Sequence, residues 1–412
     1  MDETEERWAD LPKELLETLF TSFVGIDNLR VRAVCTSWRS SIPPSQKQNF
    51  QSYILPFPVN LADNGPTITG ASYFELTEST VFCLEPSDEN LDSSSSARNH
   101  WLVKVEESSK GTLKILNPLS ERRVHRKRSP KVINLLEIRT TQVCKAYNLQ
   151  LVNPSIRFCP YFIQNYAKKV VVLPSPCSSS LGEAVAIDIY GQLWHAKSGD
   201  KTWTQLSKGN SSFVDLLNHM DGFYVTEKKG KTVMYDSTFK EAMVSSSIES
   251  DGCRKHLVNS SETGELFLID IILDIDRRRN IRSQTGGYNG PHEPAQSPYY
   301  HTAIEIKIYK LNEEKHEWEE VKNLDDRVVF AGEDCSYMIS NVKVSGFKDN
   351  CVYFTDRHYF KDVGSDDELV EVLLGHNIGV FDLESGKLGP LSLFREYAPL
   401  FWPPPGWLRR SV

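Results

Sequence analysis

Apolar residues follow two different rhythms along this chain, and the change falls near residue 45. Ahead of it, Leu11, Leu15, Leu16, Leu19, Phe20 and Phe23 keep returning to one face of a 3.6-residue period, which predicts an amphipathic helix. Asp10 suits the cap of that helix, Pro12 suits its first turn, and Gly25 ends it. Ile26, Leu29, Ala33 and Val34 outline a second helix. Thr36 to Ser41, around Trp38, predicts a third short one, which Pro43-Pro44 stop.

Beyond residue 50 the period falls to two, the spacing of strands. Val185, Ile187 and Ile189 alternate with Ala184, Ala186 and Asp188. A Tyr190-Gly191 turn leads into Gln192–Ala196, and the polar turn Ser198-Gly199-Asp200 leads to Trp203–Leu206. Further units of this kind are predicted within 101–116, 223–236, 256–273, 303–321 and 351–391. Two closing strands share a Trp-x-x-apolar form, Trp203-Thr-Gln-Leu206 and Trp318-Glu-Glu-Val321. Repeated antiparallel meanders predict a mainly β protein with a small α-helical N-terminal head, the β part being propeller-like. Because the spacing between units varies, a two-layer β-sandwich is the alternative. Two stretches without a period, Glu85–Ala97 and Arg277–Thr302, predict flexible surface loops.

Composition narrows the function. The 412 residues are 40% hydrophobic, enough for a globular core. The formal charge of −8 gives no electrostatic reason to seek phosphate backbones, so no nucleic-acid partner is expected. No run approaches a membrane span, so no membrane partner is expected either. The acidic start MDETEERWAD lacks the basic-then-apolar pattern of a secretory signal, which points to the nucleus, the cytoplasm or both. The eight cysteines show no CxxC or Cys/His spacing and read as reduced core thiols, neither a disulfide framework nor a metal site. Nucleophile-elbow, phosphate-loop, dinucleotide and zinc-protease motifs are all missing. His195, His358 and His376 read as satisfied side chains. No catalytic residue, cofactor or metal is therefore expected, and the chain reads as a non-enzyme.

The helical head also carries a fixed-spacing pattern: Leu11-Pro12, Leu15-Leu16, Leu19-Phe20, then Leu29-Arg30-Val31-Arg32-Ala33-Val34-Cys35-Thr36-Ser37-Trp38. Over residues 8–44 it closely resembles an F-box. That resemblance implies docking on the Skp-type adaptor of an SCF (Skp–cullin–F-box) ubiquitin ligase, and through it on the cullin–RING assembly. The contact residues it implies are Leu11, Pro12, Leu15, Leu16, Leu19, Leu29, Val34, Cys35 and Trp38. Size argues the same way, because about 35 residues bury too little apolar surface to be stable alone. The apolar stripe must pack on a partner or, as the alternative, on the β body.

The β body has its own resemblance, carried by Trp318-Glu-Glu-Val-Lys322, Asp334-Cys335-Ser336, Asn350–Asp356, Gly379–Leu383 and Phe401-Trp402-Pro403-Pro404-Pro405. These look like a plant F-box family often called SKIP-type, whose associated domain is taken as a β-propeller. The likeness is clearest over 300–408 and weaker over 50–300. It implies an F-box at 8–44, a β-propeller-like substrate-binding domain at 50–408, and a non-catalytic substrate receptor for an unknown target protein. The alternative is a β-propeller interaction protein acting outside a ligase, sequestering a kinase or transcription factor.

Three further segments draw notice. Arg122, Arg123, Arg126, Lys127, Arg128 and Lys131 form a basic run where the family tends towards apolar sequence, a candidate nuclear-import signal or a solvated loop. Arg277, Arg278, Arg279 and Arg282 with Tyr299 and Tyr300 make the long loop a candidate substrate surface, or a passive insertion. The tail from Phe401 to Trp407 reads as a strap closing the last blade against the first.

Overall fold

Five apolar layers, each shared by two neighbouring sheets, organise the β body. The computed structural model describes residues 11–20, 26–42, 53–55, 73–87, 100–107, 113–120, 137–152, 167–173, 183–197, 199–207, 212–220, 222–250, 252, 254–274, 303–340, 347–355, 378–394, 397, 400–401 and 405–409. Its helices are α1 (Lys13–Phe20), α2 (Ile26–Val34) and α3 (Thr36–Ser41), matching the three predicted segments.

Among the described residues the strands follow in chain order as five blades. Blade I holds β1 (Tyr53–Leu55), β2 (Tyr73–Pro86), β3 (Trp101–Glu107), β4 (Leu113–Leu116) and β5 (Ile138–Val152), ordered β5-β2-β3-β4 with β1 also on β2. Blade II holds β6 (Ala167–Val172), β7 (Ala184–Asp188), β8 (Leu193–Ala196) and β9 (Thr204–Gln205). Blade III holds β10 (Phe213–His219), β11 (Gly222–Glu227), β12 (Thr232–Asp236) and β13 (Glu241–Ser245). Blade IV holds β14 (Arg254–Asn259), β15 (Leu266–Leu273), β16 (Ala303–Asn312) and β17 (Glu317–Val321). Blade V holds β18 (Arg327–Ala331), β19 (Ser336–Ser340), β20 (Cys351–Thr355), β21 (Ile378–Asp382) and β22 (Lys387–Pro390), ordered β19-β18-β20-β21-β22.

Blades I and II are continuous through one residue pair, Tyr147 with Val170. The inner strands β5, β6, β10, β14 and β19 are successive neighbours and β19 returns to β5, which closes a ring. The apolar layers say the same. Phe74, Leu149 and Trp194 lie between blades I and II; Ile187, Phe223 and Val225 between II and III. Leu257, Leu268 and Trp318 lie between III and IV; Ile269, Val329 and Phe354 between IV and V. Val81, Cys83, Phe330 and Tyr353 lie between V and I. This is a β-propeller, and the sandwich alternative fails because the layers run in a cycle rather than forming one central core.

The layers explain the sequence pattern. Along β15, Leu266 and Leu268 face blade III while Phe267, Ile269 and Ile271 face blade V. A strand buried on both faces needs apolar residues at every position, hence the run Leu266–Leu273 broken only by Asp270. Asp270 is itself buried, and Lys255 of β14 donates to it at 2.6 Å. Both Trp-x-x-apolar tryptophans pack towards the preceding blade: Trp203 enters the layer shared with blade I, and Trp318 Nε1 donates to the Gly230 carbonyl of blade III at 2.9 Å.

Two blades depart from the predicted meanders. Blade I ends in its innermost strand rather than beginning with it. In blade V, β19 folds back as a hairpin to the inner position, so β20 takes the outer edge of β18 and runs parallel to it. The predicted loop at Glu85–Ala97 begins too early, because β2 continues through Pro86 in register with β5; residues 88–97 lie outside the described residues. At the C-terminus, Trp101 Nε1 donates to the Phe401 carbonyl at 3.0 Å, Phe401 enters the layer between blades V and I, and Trp407 and Leu408 pack on blade I. That arrangement is the expected strap; residues 402–404 lie outside the described residues.

Candidate functional site

The head is a minimal helical unit. Among its described side chains Leu16, Trp38 and Ile42 are buried, with Leu11, Val31 and Cys35 packed against them. The chain makes this knot locally. The Pro12 carbonyl accepts from the amides of Leu15 and Leu16, both at 3.1 Å, which starts α1. Cys35 caps α3 by accepting the Trp38 amide at 3.4 Å, and the Ile42 amide closes that helix on the Trp38 carbonyl at 2.9 Å. Arg32 donates to the carbonyls of Arg39 and Ile42, and Arg39 Nε returns to the Arg32 carbonyl, binding α2 to α3.

The nine candidate adaptor residues therefore divide. Leu16 and Trp38 hold the head together, and Leu11 and Cys35 are half-buried beside them. Leu15 is 51% exposed and Val34 45% exposed, with Pro12 exposed too. Those three present apolar surface to solvent. The side chains of Leu19 and Leu29 lie outside the described residues. Adjacent Leu15 and Leu16 share a face by period alone, yet one points into the knot and the other away from it. The head meets the body through Arg30, whose Nη2 donates to the Ile138 carbonyl of blade I at 2.9 Å.

The basic run at Arg122, Arg123, Arg126, Lys127, Arg128 and Lys131 lies outside the described residues, as do Arg277, Arg278, Arg279, Arg282, Tyr299 and Tyr300 of the long loop. So do His358 and His376. His195 is half-buried, its ring 4.3 Å from that of Phe239, and burial lowers its pKa.

Sequence reasoning did not find the ionic groups set between blades. Lys169 of β6 donates to Asp215 of β10 at 2.7 Å, and Asp215 also accepts the Leu257 amide of β14 at 2.6 Å, so one carboxylate joins blades II, III and IV. Lys104 of β3 donates to Asp334 at 2.6 Å and links blade I to blade V. Nothing in sequence marked either lysine, since Lys104 shares its strand with Glu106 and Glu107 and Lys169 follows Lys168. Beside Asp215, His256 Nδ1 lies 3.4 Å from Ser336 Oγ. Burial pushes the His256 imidazole down to about 4. A serine, a histidine and an aspartate come together here, but the Asp215 carboxylate is taken up by Lys169 and a backbone amide rather than by the imidazole. The group ties blades together and does not assemble a hydrolase triad. No cluster of metal-binding side chains occurs among the described residues.

The profile of the KIB1-4 β-propeller family matches residues 73–382, from the start of β2 to the end of β21. F-box protein SKIP23 of Arabidopsis thaliana is 27% identical, over 97% of this chain and 95% of its own length. F-box protein At2g17036 of the same plant is 27% identical over 98% of this chain and 95% of its own. A third Arabidopsis F-box protein, At5g60060, is 30% identical over 81% of this chain and 84% of its own. With its three-helix head and ring of five blades, the chain belongs to the plant F-box proteins that carry a KIB1-4 β-propeller.

Proposed function

We propose that this chain is a non-catalytic substrate receptor of an SCF-type ubiquitin ligase, working in the nucleus, the cytoplasm or both. Its head binds a Skp-type adaptor through the apolar surface of Pro12, Leu15 and Val34, and its propeller holds a target protein. The observation that carries this reading is the exposure of Leu15 and Val34, two apolar side chains of the head that face solvent. A head of about 35 residues gains stability when a preformed partner surface covers those side chains, at about 1.5–3 kcal/mol for each one fully buried. In this role the receptor contributes proximity, holding the target near the enzyme that carries ubiquitin.

The test is reconstitution. The full chain, a Skp-type adaptor, the cullin–RING scaffold and a ubiquitin-carrying enzyme are combined with proteins co-purified on the propeller. Receptor-dependent transfer of ubiquitin to one of them is expected. If adaptor and propeller partners both bind but no transfer follows, the chain acts outside a ligase.

A further inference from the structure

Head and propeller are tied by the chain itself, which runs from Ile42 at the end of α3 to β1, a strand paired with β2 of blade I. Arg30 of α2 makes a further tie. Its Nη2 donates at 2.9 Å to the carbonyl of Ile138, the first residue of β5. Its Nη1 donates to Asp27 Oδ1, one turn back on the same helix, at 3.2 Å. A guanidinium is planar and offers its donors in a fixed fork, so Asp27 aims the other arm at the carbonyl. Among the described residues the buried layer of the head, Leu16, Trp38 and Ile42, takes in no side chain of the propeller. The angle between the two parts is therefore not set by a shared apolar layer.

The acceptor is held as closely as the donor. Ile138 pairs with Pro86 of β2, and the Ser87 amide donates to the neighbouring Glu137 carbonyl at 2.9 Å. The Ile138 side chain is buried in a layer of blade I with Phe82, Leu84, Trp101 and Val103. Leu408 of the C-terminal strap belongs to the same layer and Trp407 packs against it. Trp101 Nε1 fastens that strap through the Phe401 carbonyl. Arg30 thus grips a point of the propeller that pairing, packing and the strap all hold in place.

We propose that Arg30 is a positioning residue: by holding the Ile138 carbonyl it fixes the angle between head and propeller, and so sets which lysines of a bound target ubiquitin reaches. This role rests on the receptor reading above and adds a residue to it. A body attached at one point swings about that point, and a second attachment removes most of the swing. With the head on the adaptor and the target on the propeller, transfer depends on how much of the time a given lysine lies within reach of the ubiquitin carrier. Holding one angle favours a few lysines; a swinging head spreads the reaction over many. Arg30 stands apart from the adaptor surface of Pro12, Leu15 and Val34, since its guanidinium is engaged with Asp27 and blade I.

The test uses the full chain carrying a pair of dyes on non-canonical amino acids, one in place of Ser37 of the head and one in place of Tyr190 of blade II, both exposed positions. Single-molecule energy transfer in the free chain should give one narrow peak. Arg30→Ala should lose that peak to a broad spread, while adaptor affinity and the propeller's melting temperature stay unchanged. Arg30→Lys, which keeps a donor but not the fork, should fall between. Should Arg30→Ala fail to fold, Asp27→Ala removes the aiming partner and should broaden the peak in its place. In the reconstituted ligase, with proteins co-purified on the propeller, Arg30→Ala should leave the bound amounts unchanged and spread ubiquitin over additional lysines. A peak as narrow in Arg30→Ala as in the unaltered chain overturns the proposal. So does an unaltered chain that is already broad, or an unchanged set of modified lysines in an active ligase. Failure of the unaltered chain to bind the adaptor overturns the receptor reading instead, and the free-chain peak then decides by itself whether Arg30 sets the angle.

Discussion

Lys104 of β3 and Asp334, in the turn before β19, meet at 2.6 Å with both side chains buried, and they join the first blade of the ring to the last. The lysine also donates to the Ser120 carbonyl at 3.2 Å. Burial alone would lower the ammonium pKa; Asp334 more than offsets this and holds the group charged. A pair of this kind gives little net stability over an apolar replacement, but it punishes the loss of one member heavily, because the other is left charged without water. Lys104→Met should therefore cost about 3–5 kcal/mol in urea unfolding. The double variant Lys104→Met, Asp334→Leu should cost clearly less than the single one. Equal losses would mean that the pair contributes by shape rather than by charge.

His256 gives the propeller a pH dependence. Burial sets its folded pKa near 4, with Lys169 and Arg254 pressing the same way and Asp215 and Glu333 opposing. In the unfolded chain a histidine titrates near 6.5. The unfolded state therefore binds a proton that the folded state refuses, and stability falls as pH drops from about 6.5 to about 4. The loss should be on the order of 3 kcal/mol, and His256→Gln should flatten the curve over that window. Burial lowers the pKa of His195 and His219 as well, so part of the slope should survive the substitution. An unchanged slope would place the titrating group elsewhere.

Met220 and Phe239 share a backbone state and should answer glycine oppositely. Met220 has φ 51° at the tip of the β10–β11 hairpin and is 68% exposed. Phe239 has φ 59°, but its ring packs against the layer between blades II and III. Left-handed backbone costs a non-glycine residue about 1–2 kcal/mol. Met220→Gly should therefore leave stability unchanged or raise it by up to about 1 kcal/mol. Phe239→Gly should lower it by about 3 kcal/mol despite the same relief, because the ring is lost from the layer. Thermal melts of the two variants settle the comparison.

The hairpins were legible where glycine marks the turn, as at Gly191, Gly230 and Gly386, all with positive φ. The β12–β13 hairpin was harder to see, because Phe239 takes that conformation in place of a glycine. A second turn signal was present and passed unread. Asp188, Asp236 and Asp382 each end a strand and accept backbone amides of the turn that follows: Tyr190 and Gln192, Thr238 and Lys240, Glu384 and Ser385. Strands β5 and β10 escaped notice for another reason. Innermost strands face the ring's axis as well as two neighbouring blades, so polar residues such as Asp215 and Asn218 interrupt the alternation that betrays outer strands. In the head, the three helices were legible from period, while Asp10 and Gly25, read as the cap and the end of the first, lie outside the described residues. The division between Leu15 and Leu16 was not legible, because it depends on where α3 crosses α1.

The central claim is that Leu15 and Val34 present an adaptor-binding surface, and titration of the full chain with a purified Skp-type adaptor tests it most directly. Leu15→Asp with Val34→Asp should weaken binding at least about 100-fold, since burying two such side chains is worth about 3 kcal/mol or more. The propeller's melting transition should not move, because neither side chain is packed in any of the body's layers. Binding of the double variant as tight as that of the unaltered chain would contradict the account.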